Sequence, residues 1–177
     1  MKPENMMNNH AYIIDRLRRL PRKMLLLHGL DNVTEFVLHE LASKHCFDLK
    51  KAAYFIDNPD FNCFKGVVGF LKEEAFSEGD SIWTSPAAFS LHMRQAAFNK
   101  AVRAMSKMSL KNSHTSDEEA SASIAHDLGF NNYKCYSWPL RHDNHGLLLV
   151  ECAPDHDEVV DRHLKNGATL LSFCPLF

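Results

Sequence analysis

The sequence predicts an α+β fold, an antiparallel sheet with helices on both faces. Three observations lead there. Two pairs of β-rich runs, 50–57 with 63–71 and 132–141 with 145–152, are each joined by a short cluster of turn residues. Segments with a helical period stand before, between and after these pairs. The run 145–152, "HGLLLVEC", is almost continuously apolar instead of alternating, as a strand covered on both faces must be.

The elements follow in order. Ile13, Leu17 and Leu20 give residues 6–20 one apolar helical stripe, which Pro21 is expected to stop or kink. A second helix is read over 32–45, with Asn32 and Glu35 in capping-box spacing and Val33, Phe36, Val37 and Leu41 on one face. "KKAAYFID" (50–57) and "CFKGVVGFL" (63–71) form a hairpin around Asn58, Pro59, Asp60 and Asn62, and "DSIWTS" (80–85) reads as a short third strand. Ser85-Pro86 starts a helix carrying Phe89, Met93, Ala97, Ala101, Ala104 and Met108 to about 108. Residues 109–115 read as a polar loop. Ser116 and Glu119 form a capping box for a helix that Gly129 ends. In the second hairpin, Asp143 and Asn144 are the expected turn pair. Pro154, Asp155 and Glu158 open a last helix that Gly167 is expected to interrupt or end.

Composition narrows the function classes. With 177 residues, 45% hydrophobic and 24% charged, the chain reads as one globular domain, residues 1–177. Within it, 1–30 forms a helical extension and 31–177 the core. A net charge of −2 gives no drive toward nucleic acid or an anionic membrane. "MKPENMMNNHAY" has no apolar signal-peptide core, and runs such as "MLLL" are too short to span a bilayer. Cys46, Cys63, Cys135, Cys152 and Cys174 lack CxxC spacing, so they read as reduced, mostly buried thiols of a cytoplasmic protein. "CPLF" at the end formally fits a prenylation pattern, but Pro175 and the lack of a preceding polybasic stretch argue against it.

Each candidate site competes with a plainer reading. His142, His145, His156 and His163 would make a four-histidine metal site if they converged; turn chemistry explains the first two, and no metal or other cofactor is expected. His45-Cys46 and Cys152 with His156 lack an evident electropositive setting for a nucleophilic thiol. Arg16, Arg18, Arg19, Arg22 and Lys23 form the one strong charge cluster, best read as a solvated helix face. Aromatic and methionine side chains concentrate in the middle of the chain, Phe70 among them. Tyr54, Phe64, Trp83, Phe89, Met93, Tyr136 and Trp138 are the candidate ligand-lining set, because pockets are mostly apolar with a few polar groups. Plain core is the competing fate of the same residues.

The element order resembles the GAF/PAS-type sensor architecture. One stretch is more pointed. "SDEEASASIAHDLGFNNYKCYSWPLRHDNHGLLLVECA" (116–153) resembles the second half of the autoinducer-binding domain of LuxR-type regulators: an acidic-capped helix ending near a Gly, a strand with a Pro-hydrophobic pair (Pro139-Leu140), a turn and a Gly-led strand. "VLHELASKHCFDLKKAAYF" (37–55) resembles that family's first helix running into its first strand. Together the two cover about a third of the chain. The family's lactone pocket uses a Trp, a Tyr four residues on and an Asp-Pro-Val. Helix 86–108 holds no Trp or Tyr, and "NKAV" (99–102) stands where the Asp-Pro-Val would fall, so the lactone itself is not implied. No helix-turn-helix follows, and direct DNA binding is not expected.

The resemblance implies a cytoplasmic regulatory sensor domain that binds a small hydrophobic molecule or a protein partner and signals by association. An interaction or anti-regulator protein with a filled pocket and no ligand is the alternative. A metal-dependent enzyme using the C-terminal histidines comes third, since no paired carboxylates, phosphate-cradling loop or nucleophile elbow is present. A cavity lined by Tyr54, Trp83 and Trp138 would favour sensing; a packed centre would favour interaction. A symmetric homodimer is expected through the first helix, with Ile14 and Tyr12 widening its apolar face and Arg16, Arg18 and Arg19 as a polar rim. The first and last helices are expected to pack together opposite the 86–127 helices.

Overall fold

The computed structural model describes residues 3–27, 30–76, 81–152 and 158–174, with side chains from residue 10 onward. The fold is α+β. Five strands, β1 (Lys51–Asn58), β2 (Cys63–Leu71), β3 (Ser106–Lys107), β4 (Tyr133–Pro139) and β5 (His145–Glu151), form one antiparallel sheet in the order β3-β2-β1-β5-β4. β1 and β5 are central and buried along nearly their whole length. Helices on both faces remove the need for polar alternation there, which is why "AAYFI" and "GLLLV" read as continuous apolar runs.

One face, carrying Ala52, Tyr54, Ile56, Val68, Phe70, Leu148 and Val150, is covered by α1 (Pro3–Leu26), α2 (Val33–Ala42), α3 (Pro86–Gln95) and α7 (Glu158–Ala168) with its 3-10 extension Thr169–Phe173. The other, carrying Ala53, Phe55, Phe64, Leu147 and Leu149, is covered by α4 (Ala97–Ala104), α5 (Leu110–Ser113) and α6 (Asp117–Asp127). A β-bulge decides the face of Phe64. Tyr54 pairs with Val68 but Phe55 pairs with Gly66, so Val67 is left over and β2 changes parity. Without the bulge Phe64 would share a face with Phe70, six residues on, and with Tyr54.

Several sequence expectations need correction. Pro21 does not stop the first helix, which runs to Leu26 with Pro21 on its exposed side, where the lost hydrogen bond is left to water. Ile13, Leu20 and Leu27 lie in the main core, so α1 is docked against the rest. Asn32 does not cap α2; its side-chain N–H donates to Glu35 Oε2 at 2.8 Å instead. All of α2 is buried, not one stripe. The expected strand 80–85 is absent among its described residues: Ile82–Thr84 form a turn that tucks Ile82 into the core and brings Trp83 to Glu40.

The expected helix 86–108 is two helices. Ala96 adopts φ −54° and ψ 121°, and α4 leaves for the opposite face of the sheet. The buried Asn99 amide fixes this crossing: its Oδ1 accepts the Gly69 backbone N–H of β2 at 2.9 Å, and its Nδ2 donates to the last turn of α3 at Met93 O, 2.9 Å away. The loop expected at 109–115 holds α5, whose first amides donate to the buried Asp57 carboxylate, Leu110 N at 3.0 Å and Lys111 N at 3.2 Å. The capping box at Ser116 and Glu119 forms as expected. The second hairpin turns one residue early: His142 and Asp143, not Asp143 and Asn144, take positive φ (57° and 55°), the type I′ pattern whose twist matches the strands. Pro154 and Asp155 lie outside the described residues. Gly167 neither breaks nor ends α7; a Cβ there would meet Leu17, Leu41 and Phe47 at 3.0–3.4 Å, so the glycine lets α7 settle on α1 and α2. The first and last helices thus pack together, but α3 shares their face and only α4, α5 and α6 lie opposite.

Candidate functional site

The seven candidate ligand-lining residues occupy three places. Tyr54, Tyr136 and Trp138 gather on the α1/α7 face of the sheet. The Trp138 indole lies parallel to the Tyr54 ring, centroids 5.6 Å apart and planes 1° apart. Gly146, opposite Trp138 in the β4–β5 ladder, allows this: a Cβ would sit 2.9 Å from the indole. Trp138 Nε1 donates to Ser172 Oγ at 2.8 Å, and Tyr136 Oη donates to Asp161 Oδ1 at 2.5 Å, an oxygen that Lys134 Nζ also reaches at 2.6 Å. These contacts tie the edge strand β4 to α7 and its 3-10 extension. Burial, then the Asp161 hydrogen bond, hold the Tyr136 hydroxyl strongly in its neutral form.

Tyr54 is the outlier. It is fully buried at the centre of the sheet, and its hydroxyl has no hydrogen-bond partner among the described residues. A buried hydroxyl without a partner costs on the order of 1–3 kcal/mol, so such groups are rare. Burial, and then the neighbouring Cys174, raise its pKa, so it stays a neutral donor and acceptor. Beside this group lies an open groove of about 620 Å³, lined by Pro139, Leu140, Arg141, His142, Asn144, Ser172 and Phe173. Trp138 is the link between the two: its ring covers Tyr54 and its indole N–H holds the groove residue Ser172.

Phe89, Met93 and Trp83 belong to a second, filled aromatic group between α2 and α3. Phe89 packs on Phe36 (4.4 Å between centroids), His39 (5.1 Å) and Phe76 (5.7 Å). His39 Nε2 accepts the Phe76 backbone N–H at 3.2 Å. Burial, then the like charge His92 would carry, push the His39 pKa down to about 4, so it serves as a neutral acceptor. Trp83 Nε1 donates to Glu40 Oε2 at 2.7 Å. Phe64 is on the opposite face, stacked on Phe55 at 5.3 Å. A single pocket lined by all seven is therefore not what forms, and the packed α2–α3 group contributes only core.

Sequence reasoning passed over Glu40. It is buried beneath α1 and takes Arg16 at 3.2 Å, Lys23 at 3.1 Å and the Trp83 indole. Burial opposes its ionisation, but the Trp83 hydrogen bond and the two cations outweigh it and hold the carboxyl below its usual range. Two acids, Glu35 and Glu40, inside a largely apolar helix were the available signal, together with Arg16 and Lys23 two turns apart. Arg16 is thus a half-buried anchor of α1 and not part of a polar rim. Arg19 pairs with Asp15 at 3.0 Å, Arg18 is exposed, and Tyr12 and Ile14 remain exposed beside them, as do Leu25 and Leu26 further along α1.

The histidines of the C-terminal third disperse. His142 is exposed at the hairpin tip, His145 Nε2 lies 3.2 Å from Asp117 Oδ2, and His163 packs edge-on against His10. His156 lies outside the described residues. Among the described residues no group of three His, Cys, Asp or Glu side chains could hold a metal ion. The thiols are unpaired: Cys46 and Cys174 are buried and pushed up to about 12 by burial, Cys63 and Cys152 are partly buried, and Cys135 is exposed rather than buried. No described helix is long and apolar enough to cross a membrane. No family model, curated protein or solved structure matches the chain.

Proposed function

We propose that this chain is a regulatory sensor domain that takes up a small, largely apolar molecule bearing one hydrogen-bonding group. The observation that carries the reading is the Tyr54 hydroxyl, buried and without a partner among the described residues, beneath a Trp138 ring that one hydrogen bond holds in place. Swinging Trp138 off Tyr54 costs that bond and a ring stack, together about 1–3 kcal/mol. A ligand that fills the space and bonds Tyr54 offsets this cost. Because the swing releases Ser172 and displaces a β4 side chain, the bound state differs from the free one on the outer surface, where a partner reads it. Free thiols fit a reducing compartment, and we assign the domain to the cytoplasm.

The test uses a Trp83→Phe background, so that fluorescence reports Trp138 alone, titrated with n-alkyl amides from hexanamide to dodecanamide. Saturable emission change that grows with chain length, and about tenfold weaker binding in Tyr54→Phe, are expected. No saturable change, together with native mass spectra showing only the 20.2 kDa polypeptide, would overturn the reading.

A second reading has the same fold acting by association alone, and the filled α2–α3 group favours it. The exposed Tyr12, Ile14, Leu25 and Leu26 on α1 then serve a homodimer. Sedimentation equilibrium at tens of micromolar, an order of magnitude suited to weak interfaces, separates the two: association abolished by Ile14→Glu supports this reading, and a monomer sinks it.

A further inference from the structure

Where α2 begins, its first turn, the bulged part of β2 and the helices α3 and α4 enclose a polar cleft of about 390 Å³. Its charged lining is Lys65, Arg94 and Arg103 against Asp31 and Glu35, with Asn32 and Thr34 as further polar groups. Glu35 is only 3% exposed, and its charge is already met. Its Oε1 accepts from Asn99 Nδ2 and Arg103 Nη1, each at 3.0 Å, and its Oε2 from Asn32 Nδ2 at 2.8 Å. Asn32 is itself fixed, since its Nδ2 also donates to Ser90 Oγ at 2.9 Å, and Asn99 is locked to β2 through Gly69. This network holds Arg103 by one nitrogen of its fork while its side chain stays half exposed. Lys65 and Arg94 make no ion pair with any described residue. The cleft therefore holds three cations against two carboxylates; with Arg103 and Glu35 paired, Lys65 and Arg94 face Asp31, and one positive charge is left over. Like charges held together repel, and an oxyanion between them converts that cost into charge-assisted hydrogen bonds.

We infer that this cleft binds the phosphate or carboxylate group of a small molecule, with Arg103 as the pre-set contact and Lys65 and Arg94 closing on the anion. Arg103 is positioned for the planar, forked recognition that arginine gives oxyanions. The volume suits a metabolite-sized ligand and not a polymer. The site is separate from Tyr54: it is built on α2, β2, α3 and α4, and neither Trp138 nor the 3-10 extension contributes to it.

Isothermal titration of the full chain with sodium phosphate, pyrophosphate and citrate, at fixed ionic strength, tests this. Saturable binding by at least one is expected, and phosphate or pyrophosphate against citrate identifies which oxyanion chemistry the cleft prefers. Lys65→Gln and Arg94→Gln, both exposed and without an ion pair among the described residues, should each weaken binding about tenfold or more without shifting the melting temperature. Asp31→Asn should tighten it, an outcome that damaged folding cannot mimic. Lys44→Gln, beyond the far end of α2, should change nothing. Absence of binding by all three anions, or equal losses in Lys44→Gln and Arg94→Gln, would overturn the inference.

Discussion

On the α4–α6 face, helix backbone touches strand. A Cβ at Gly66 would lie 1.9 Å from the Val102 carbonyl oxygen, and one at Gly69 2.7 Å from Val102 Cγ2. On the α1/α7 face the strands meet large side chains: Trp138 over Tyr54 and His39 against Phe70, with Phe36 on Phe89 between the helices above them. At Gly66 the first face is closed by backbone, which cannot rotate away, and its buried Asp57 is fully employed in capping α5. The second is closed by rotamers, several of them pinned only at a polar tip. A contact between backbones admits nothing; a contact between side chains can be exchanged for a ligand. That difference is why the sensing proposal belongs to one face only.

The comparison breaks most readily at Gly66. Gly66→Val should push α4 off β2 and cost at least about 3 kcal/mol, read as a lower urea midpoint or as insoluble protein. An unchanged midpoint would show that α4 yields as easily as a side chain does, and the contrast between faces would be lost.

The next largest effect is expected on the rotamer-closed face, from pH. His39 titrates at about 4 when folded against about 6.5 unfolded. The unfolded chain therefore binds more protons between these values, and stability falls as pH drops from 6.5 through 4. The loss is on the order of 3 kcal/mol once both states are protonated, because the charged ring is buried and Nε2 can no longer accept the Phe76 N–H. In His39→Gln the urea midpoint should vary less with pH over that window. An identical pH profile in the variant would assign the slope to other groups.

The smallest effect has the opposite sign. Tyr54→Phe removes a hydroxyl that bonds no described residue, so ligand-free protein should gain roughly 1 kcal/mol of stability. Calorimetry showing a loss instead would mean that the hydroxyl is served by a tightly held water, and the ligand argument would weaken accordingly.

The sequence disclosed most of the scaffold and little of the site. Both hairpins, the capping box at Ser116 and the double-sided burial of β5 were readable, because local turn chemistry and uninterrupted apolar runs carry their own meaning. The bulge at Val67 was not. It depends on how β2 registers against β1, and one extra residue was enough to send Phe64 to the wrong face of any imagined pocket. The break at Ala96 was equally hidden, since Ala-Ala-Phe-Asn continues a helix as well as it begins one; only the reach of Asn99 to Gly69 reveals it. Candidate residues chosen for aromatic character alone mixed core with site. What separates Tyr54 and Trp138 from Phe89 and Met93 is the state of a single hydroxyl, which no pattern of letters records.

The strand order has a consequence for how the chain is made. Each hairpin is local, but β1 and β5, the central pair, join residues roughly ninety positions apart. At translation rates of 5–20 residues per second, β1 leaves the ribosome on the order of ten seconds before its partner exists. During that interval one edge of "AAYFI" offers unpaired amides and carbonyls on a strand with apolar side chains on both faces, a template for pairing with a neighbouring nascent chain. Lys50 and Lys51 before the run and Asp57 after it place charge at both ends of this edge. The same residues serve the finished fold, Lys51 bonding the Gly129 carbonyl at 2.6 Å and Asp57 capping α5. Charges that hold the mature sheet to its surroundings thus also guard its most adhesive strand while it waits.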